Sequence, residues 1–148
     1  MRLYPPVWGF VRQAVRADEV AGYRIPKGSV VNIVPWVTHR HPAFWTHPDR
    51  FDPEHFAPDA VRERPRFAYL PFSGGPRLCI GNEFALMEAQ LVVAMTLQRY
   101  KLQLTAERPI IEPEVHLTLR PRGGLPMRVS QGRVTSGLAT CQAGTESR

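Results

Sequence analysis

Between Phe72 and Gly81, five residues stand at fixed intervals: Phe72, Gly75, Arg77, Cys79 and Gly81, in the pattern F-x-x-G-x-R-x-C-x-G. Each type has a physical task if Cys79 is a thiolate that ligates a haem iron. Glycine lets the chain turn tightly and lets backbone approach a flat macrocycle. A cysteine just ahead of a long helix lies near unpaired backbone N–H groups and the positive end of the helix dipole, and both stabilise a sulfur anion. The N–H groups of Ile80, Gly81 and Asn82 are placed to hydrogen-bond that sulfur and tune the iron. Arg77 is within reach of a haem propionate, and Phe72 shields the sulfur side from water.

Other readings of the same residues are weaker. A lone cysteine is by default a small buried hydrophobe, but here the surrounding pattern outweighs the default. A nucleophilic cysteine needs a histidine and a carboxylate that the sequence does not reveal. The Gly-rich turn lacks the Lys-Ser or Lys-Thr of a phosphate loop. His39, His41, His47 and His55 match no zinc spacing and read as loop histidines. Cys141, far from Cys79, is given no role, and two cysteines so placed support no disulfide framework, which points to a reducing, cytoplasmic compartment.

The elements that must position Cys79 follow from periodicity and punctuation. Apolar residues at Phe84, Met87, Leu91, Val92, Met95 and Leu97 or Gln98 predict one strong helix from about Gly81 to Tyr100, buried along that face. Upstream, Val11–Val15, Glu19–Ile25 around Gly22 and Ser29–Val34, with a turn at Pro26-Lys27-Gly28, predict a small antiparallel sheet. Residues 35–66 combine prolines with Trp36, Phe44, Trp45, Phe51 and Phe56, which predicts an ordered loop with short helical turns. Short strands are expected at Leu102–Thr105, Val115–Leu119 and Met127–Ser130. Arg2-Leu3-Tyr4-Pro5-Pro6 reads as the last turn of a helix stopped by prolines, its start lying in an upstream segment. Residues 131–148 read as a disordered tail.

The chain has 148 residues, 43% hydrophobic and 22% charged, enough for one domain with a core, and 15 prolines and 11 glycines exclude a chain of long helices. Collagen, coiled coil and wholesale disorder are excluded by pattern, and neither a membrane span nor an export signal is expected. The net charge of +6 comes from basic residues interleaved with acidic ones, so no nucleic-acid stripe is present. Of the 19 basic residues 17 are arginine, the side chain suited to bidentate recognition of carboxylates.

The cysteine segment resembles the signature of the cytochrome P-450 family, the haem-thiolate monooxygenases, at all five fixed positions. Ala85 and Glu88 resemble the family's following helix. Pro48-Asp49-Arg50-Phe51, with Asp52-Pro53-Glu54-His55-Phe56, resembles its aromatic-Pro-Arg segment, whose arginine joins a Glu and an Arg of an E-x-x-R helix in a buried triad. Arg50 and Arg2 match the two arginines. The Glu would stand three residues before Arg2, where this sequence has none, so Arg2 and Arg50 are expected to be loosely held, with buried charge uncompensated at ~3–5 kcal/mol. Arg12 falls in the strand that in the family supplies another propionate contact, and His39-Arg40 resembles a family His-Arg pair.

The resemblance runs from Arg2 to about Ser130. It implies an α+β fold, a C-terminal fragment of the mainly helical P-450 fold, with small antiparallel sheets and a Cys loop leading into one long buried helix. Residues 1–130 would be a C-terminal haem-binding portion and 131–148 a tail. Cys79 would be the catalytic residue and axial ligand of the haem iron, with Phe72, Gly75, Arg77, Gly81 and Arg12 binding the haem (iron protoporphyrin IX). The implied activity is oxygen insertion into a small apolar organic substrate, with electrons from an acidic ferredoxin- or flavodoxin-type donor or a reductase that docks near Arg66, Arg99 and Lys101. Because the long distal helix of the family has no counterpart here, the rival readings are a truncated, non-enzymatic fragment and a haem-binding module without oxygen activation.

Overall fold

The computed structural model describes residues 1–105 and 110–132. The chain forms two compact units. The first comprises Met1–Glu83 and Ile110–Leu125, and the second, within the described residues, 84–105 and 126–132.

In the first unit, β1 (Phe10–Gln13) pairs antiparallel with β4 (Val30–Ile33), Phe10 opposite Ile33 and Gln13 opposite Val30. Between them β2 (Asp18–Val20) and β3 (Tyr23–Ile25) form a separate hairpin. The expected three strands are therefore four, in two ladders. The reason lies at Ala21 and Gly22, whose positive φ values of 51° and 82° turn the chain back where a continuous strand was expected. Alternation along β1 leaves Val11 and Gln13 exposed and turns Phe10 and Arg12 to the half-buried face.

Residues 35–68 are an ordered run of short turns, as expected: α1 (Pro35–Thr38), a 3-10 turn at Pro53–Phe56, α2 (Pro58–Glu63) and a 3-10 turn at Arg66–Ala68. Proline opens the first three, where its missing N–H costs nothing. Trp45, Ala68 and Leu70 are buried against two buried polar side chains, Arg2 and His39. The Trp45 indole donates to the Thr38 carbonyl at 3.1 Å, and the guanidiniums of Arg2 and Arg64 lie over its ring, 5.0 and 4.2 Å from the centroid. Residues 1–6 are not helical. Pro5 and Pro6 bar helical backbone just before them, and Arg2 is drawn inward to the loop. The expected strand 115–119 is instead the bend between β6 (Pro113–Val115) and β7 (Leu119–Pro121), closed by His116 donating to the Thr118 carbonyl.

The long helix, α3 (Asn82–Arg99), begins at the end of the first unit and continues through the second. It matches the expected span, but its expected burial is wrong: Phe84, Met87, Leu91, Val92, Met95 and Leu97 are all more than half exposed. A helix apolar on all sides needs neighbours on all sides, and its own unit offers one hairpin, β5 (Tyr100–Leu104) with β8 (Met127–Gln131). Gln131 ends β8 opposite Tyr100, one residue inside the expected tail. Residues 133–148, with Cys141, lie outside the described residues. No helix among the described residues is long and apolar enough to cross a membrane.

Candidate functional site

The cysteine loop is closed by its own backbone. The Cys79 N–H donates to the Phe72 carbonyl at 3.0 Å and the Leu78 N–H to the Gly75 carbonyl at 3.0 Å, around a 3-10 turn at Gly75–Arg77. Two residues make the reversal with left-handed backbone, Ser73 at φ 65° and Gly75 at φ 67°. At Gly75 glycine is favoured by that dihedral. At Gly74 a Cβ would crowd the Phe67 ring at 3.0 Å, and that ring would have to shift to admit it. Neither reason holds at Gly81, where a Cβ would meet nothing within 4 Å and φ is not left-handed; nothing in the chain itself requires glycine there.

A groove of about 280 Å³ brings Phe72, Arg77 and Cys79 of this loop together with Val7, Phe10 and Arg12 from the strand side, closed by Pro71 and Ser73. A neighbouring groove of about 350 Å³ shares Phe10, Arg12 and Ser73 and includes Gly75. The expected site residues Arg12, Phe72, Arg77 and Cys79 thus line one concavity and Gly75 the next, while Gly81 lines neither. Sequence reasoning missed Phe10 and Ser73. The signal for Phe10 was present, because residues two apart on a strand share a face; Ser73 carried no local signal.

The chemistry of the groove is set by what its side chains leave unengaged. Cys79 is an exposed free thiol, flanked by Leu78, 54% exposed, and the fully exposed Ile80. The N–H groups of residues 80–82 make no bond to its sulfur, contrary to expectation. Arg77 is exposed and has no hydrogen bond or ion pair among the described residues. Arg12 donates through Nη2 to Ser73 Oγ at 2.7 Å and through Nη1 to the Val11 carbonyl at 2.9 Å, its guanidinium over the Phe10 ring. No carboxylate lines either groove. A soft sulfur ligand, apolar walls and two cations without anions suit a flat apolar ligand that carries a metal and two carboxylates.

The expected arginine triad is only partly present. Arg2 is buried at 4% exposure, but backbone carbonyls receive it: Nη1 donates to His39 at 2.9 Å and to Pro48, and Nη2 to Arg50 at 2.6 Å. Arg50 joins through its carbonyl only, its side chain being exposed. Burial lowers the Arg2 pKa, while Asp49 and Asp52 act in the opposite direction. The expected looseness is replaced by a bonded anchor, because three carbonyl dipoles converge on one guanidinium. His39 is fully buried and its Nε2 accepts from the Leu70 N–H at 3.0 Å; burial above all pushes its pKa down to about 4. Arg40 stacks on Trp36 at 3.6 Å and pairs with Asp49 at 3.5 Å. Arg66, in the first unit, and Arg99 and Lys101, in the second, are each exposed.

Comparison with known proteins places these features. The cytochrome P450 family model matches residues 1–126, the N-terminal part of this chain, four residues short of the expected extent. Thromboxane-A synthase of Sus scrofa is 37% identical over 130 residues, covering 87% of this chain and 24% of that protein. Cyclooctatin synthase of Streptomyces melanosporofaciens is 40% identical over 129 residues, covering 85% and 28%. Among solved structures, the cytochrome P450DA heme domain superposes with a TM-score of 0.83 at 33% identity, covering 90% of this chain and 29% of that one. Retinoic acid-bound cyanobacterial CYP120A1 gives 0.83 at 34% identity, covering 88% and 30%. The chain spans about a quarter of the length of the curated relatives it matches.

Proposed function

The chain belongs to the cytochrome P450 family, and from that premise we propose that it is the cysteine-bearing, haem-ligating portion of a haem-thiolate monooxygenase. A haem held by a cysteine thiolate supplies oxygen activation and insertion of one oxygen atom into a C–H bond of a small apolar substrate. Cys79 is the ligand. Its exposure on the groove wall leaves the sulfur open to a metal, and the bond from its N–H to Phe72 fixes where the sulfur stands. Arg12 and Arg77 receive the two propionates, Phe10 and Phe72 pack on the macrocycle, and Gly75 makes the turn that brings the loop to the groove. Electrons come from an acidic ferredoxin- or flavodoxin-type donor or a reductase, and the compartment is a reducing, cytoplasmic one that keeps Cys79 a thiol.

The observation that carries this reading is the convergence of Cys79, Arg77, Phe72 and Arg12 on one groove with no carboxylate in its lining. The apolar helix left open along its length favours a second statement, that this chain alone binds haem without turning over substrate. The test is a titration of the purified chain with haemin, followed by dithionite and carbon monoxide. A red-shifted thiolate Soret band is expected in the wild type and in Cys141→Ala, and not in Cys79→Ala. An identical band in Cys79→Ala would remove sulfur as the ligand, and turnover well above that of free haem would remove the second statement.

A further inference from the structure

Arg12 is held more firmly than its place at a groove mouth requires. Of its five N–H donors, one reaches the Val11 carbonyl and one Ser73 Oγ at 2.7 Å, and the guanidinium lies over the Phe10 ring at 4.9 Å. Three N–H groups are left, and the residues that pin the guanidinium all line the edge common to the two grooves or stand beside it.

The serine is the unexpected partner. Its φ of 65° is left-handed, a backbone state that disfavours any residue with a Cβ. The next two residues are Gly74 and Gly75, so this loop uses glycine freely where it turns. Ala21 and His47 are the other non-glycine residues with positive φ among those described, and neither lines the grooves. Strain retained at a ligand-facing position calls for a compensating role of the side chain, and the one contact that the Ser73 hydroxyl makes is with Arg12.

We propose that Ser73 is a positioning residue that fixes the Arg12 guanidinium so that its three remaining N–H groups meet a haem carboxylate. This rests on the haem reading above. Ser73 itself need not touch the haem; it removes rotational freedom from a long side chain before the ligand arrives, which converts a mobile cation into a preorganised one.

The experiment compares binding of haemin and of its dimethyl ester, which lacks the carboxylates, to the full chain. Ser73→Ala is expected to weaken haemin about tenfold, the scale of one charge-assisted hydrogen bond, and to leave the diester within about twofold. In an Arg12→Ala background, Ser73→Ala should add nothing further. Ser73→Asn, which tolerates left-handed backbone and keeps an acceptor, should restore most of the affinity. Ser73→Gly should raise the melting temperature by relieving the dihedral while still weakening haemin, a split that a purely structural role would not produce. Equal loss for haemin and diester, or additivity with Arg12→Ala, overturns the proposal while the haem reading stands. Should the wild type bind neither compound through Cys79, the haem reading fails by itself. The tether is then decided by ¹⁵N spectra of the Arg12 guanidinium: unchanged rotation in Ser73→Ala overturns it, and released rotation upholds it.

Discussion

Two regions of the first unit treat their polar groups in opposite ways. Around Trp45 the cations, the indole and the Leu70 N–H all have partners within the chain, with Arg2 on three carbonyls, Arg64 on the His55 carbonyl at 2.7 Å, the indole on Thr38 and the Leu70 N–H on His39. Among the described residues only the Nδ1 atoms of His39 and His55 are buried there without one. Around Cys79 two backbone bonds close the loop, Cys79 N–H to Phe72 and Leu78 N–H to Gly75, but the sulfur and the Arg77 guanidinium are without partners. The first pattern belongs to residues that hold a fold together, since a buried cation without acceptors costs several kcal/mol. The second belongs to residues that wait for a ligand. Arginine alone therefore says little: Arg2, Arg64 and Arg77 differ in what surrounds them, not in type.

The comparison predicts that substitutions in the two regions separate stability from binding. The largest effect is expected at Trp45→Ala. Trp45 is 2% exposed and meets the rings of His39, His55, Phe56 and Tyr69. Removing it empties a cavity and takes away the ring under Arg2 and one of the three rings under Arg64, at a cost of ~3–5 kcal/mol. Urea denaturation of the apo chain reads this directly, and a loss below ~1 kcal/mol would mean that the cluster is not what holds the unit together.

The next effect is a dependence on pH. Folding pushes the His39 pKa down to about 4 from its ordinary 6.5, so the folded imidazole stays neutral where the unfolded one takes a proton. Stability is fully present above about pH 6.5, falls as pH drops toward about 4, and levels off below that. The full amplitude is about 3 kcal/mol, from ~1.4 kcal/mol per pH unit. His39→Gln should flatten that slope between pH 6.5 and 4. An unchanged slope would assign the acid sensitivity to other groups.

How much of this was legible in the sequence differs between the same two regions. The cysteine loop was read correctly as a turn into a helix, because Gly75 and the helix formers after Asn82 act locally. The convergence of Arg12 on the loop was legible only through family resemblance, since 61 residues separate Arg12 from Ser73. The burial of α3 was misread because periodicity reports that a helix is apolar, not that a second layer is present to cover it. The looseness expected at Arg2 is absent for a related reason. The family resemblance implied a buried cation, whereas its acceptors are the backbone carbonyls of His39, Pro48 and Arg50, and carbonyls have no residue type by which a sequence could reveal them. Residues 19–25 were misread as a single strand because Ala21, next to Gly22, adopts a left-handed state that alanine seldom takes.

The smallest effect on stability is expected where the effect on binding is largest. Cys79 and Arg77 are exposed and their side chains make no hydrogen bond among the described residues, so truncating either removes no buried contact and leaves no group unsatisfied. Cys79→Ala and Arg77→Ala should each change the stability of the apo chain by no more than ~0.5 kcal/mol, as for surface positions free of special contacts. The loop keeps its shape because its closing bonds, Cys79 N–H to Phe72 and Leu78 N–H to Gly75, are made by backbone that alanine retains. With haem present the same variants should diverge from wild type, because a ligand that binds only the folded state raises apparent stability in proportion to its affinity. Cys79→Ala should lose most of that ligand-dependent rise in melting temperature, and Arg77→Ala part of it. If either variant destabilised the apo chain by more than ~1 kcal/mol, its side chain would have to support the fold, and the contrast between a self-satisfied cluster and a ligand-directed loop would fail at that residue.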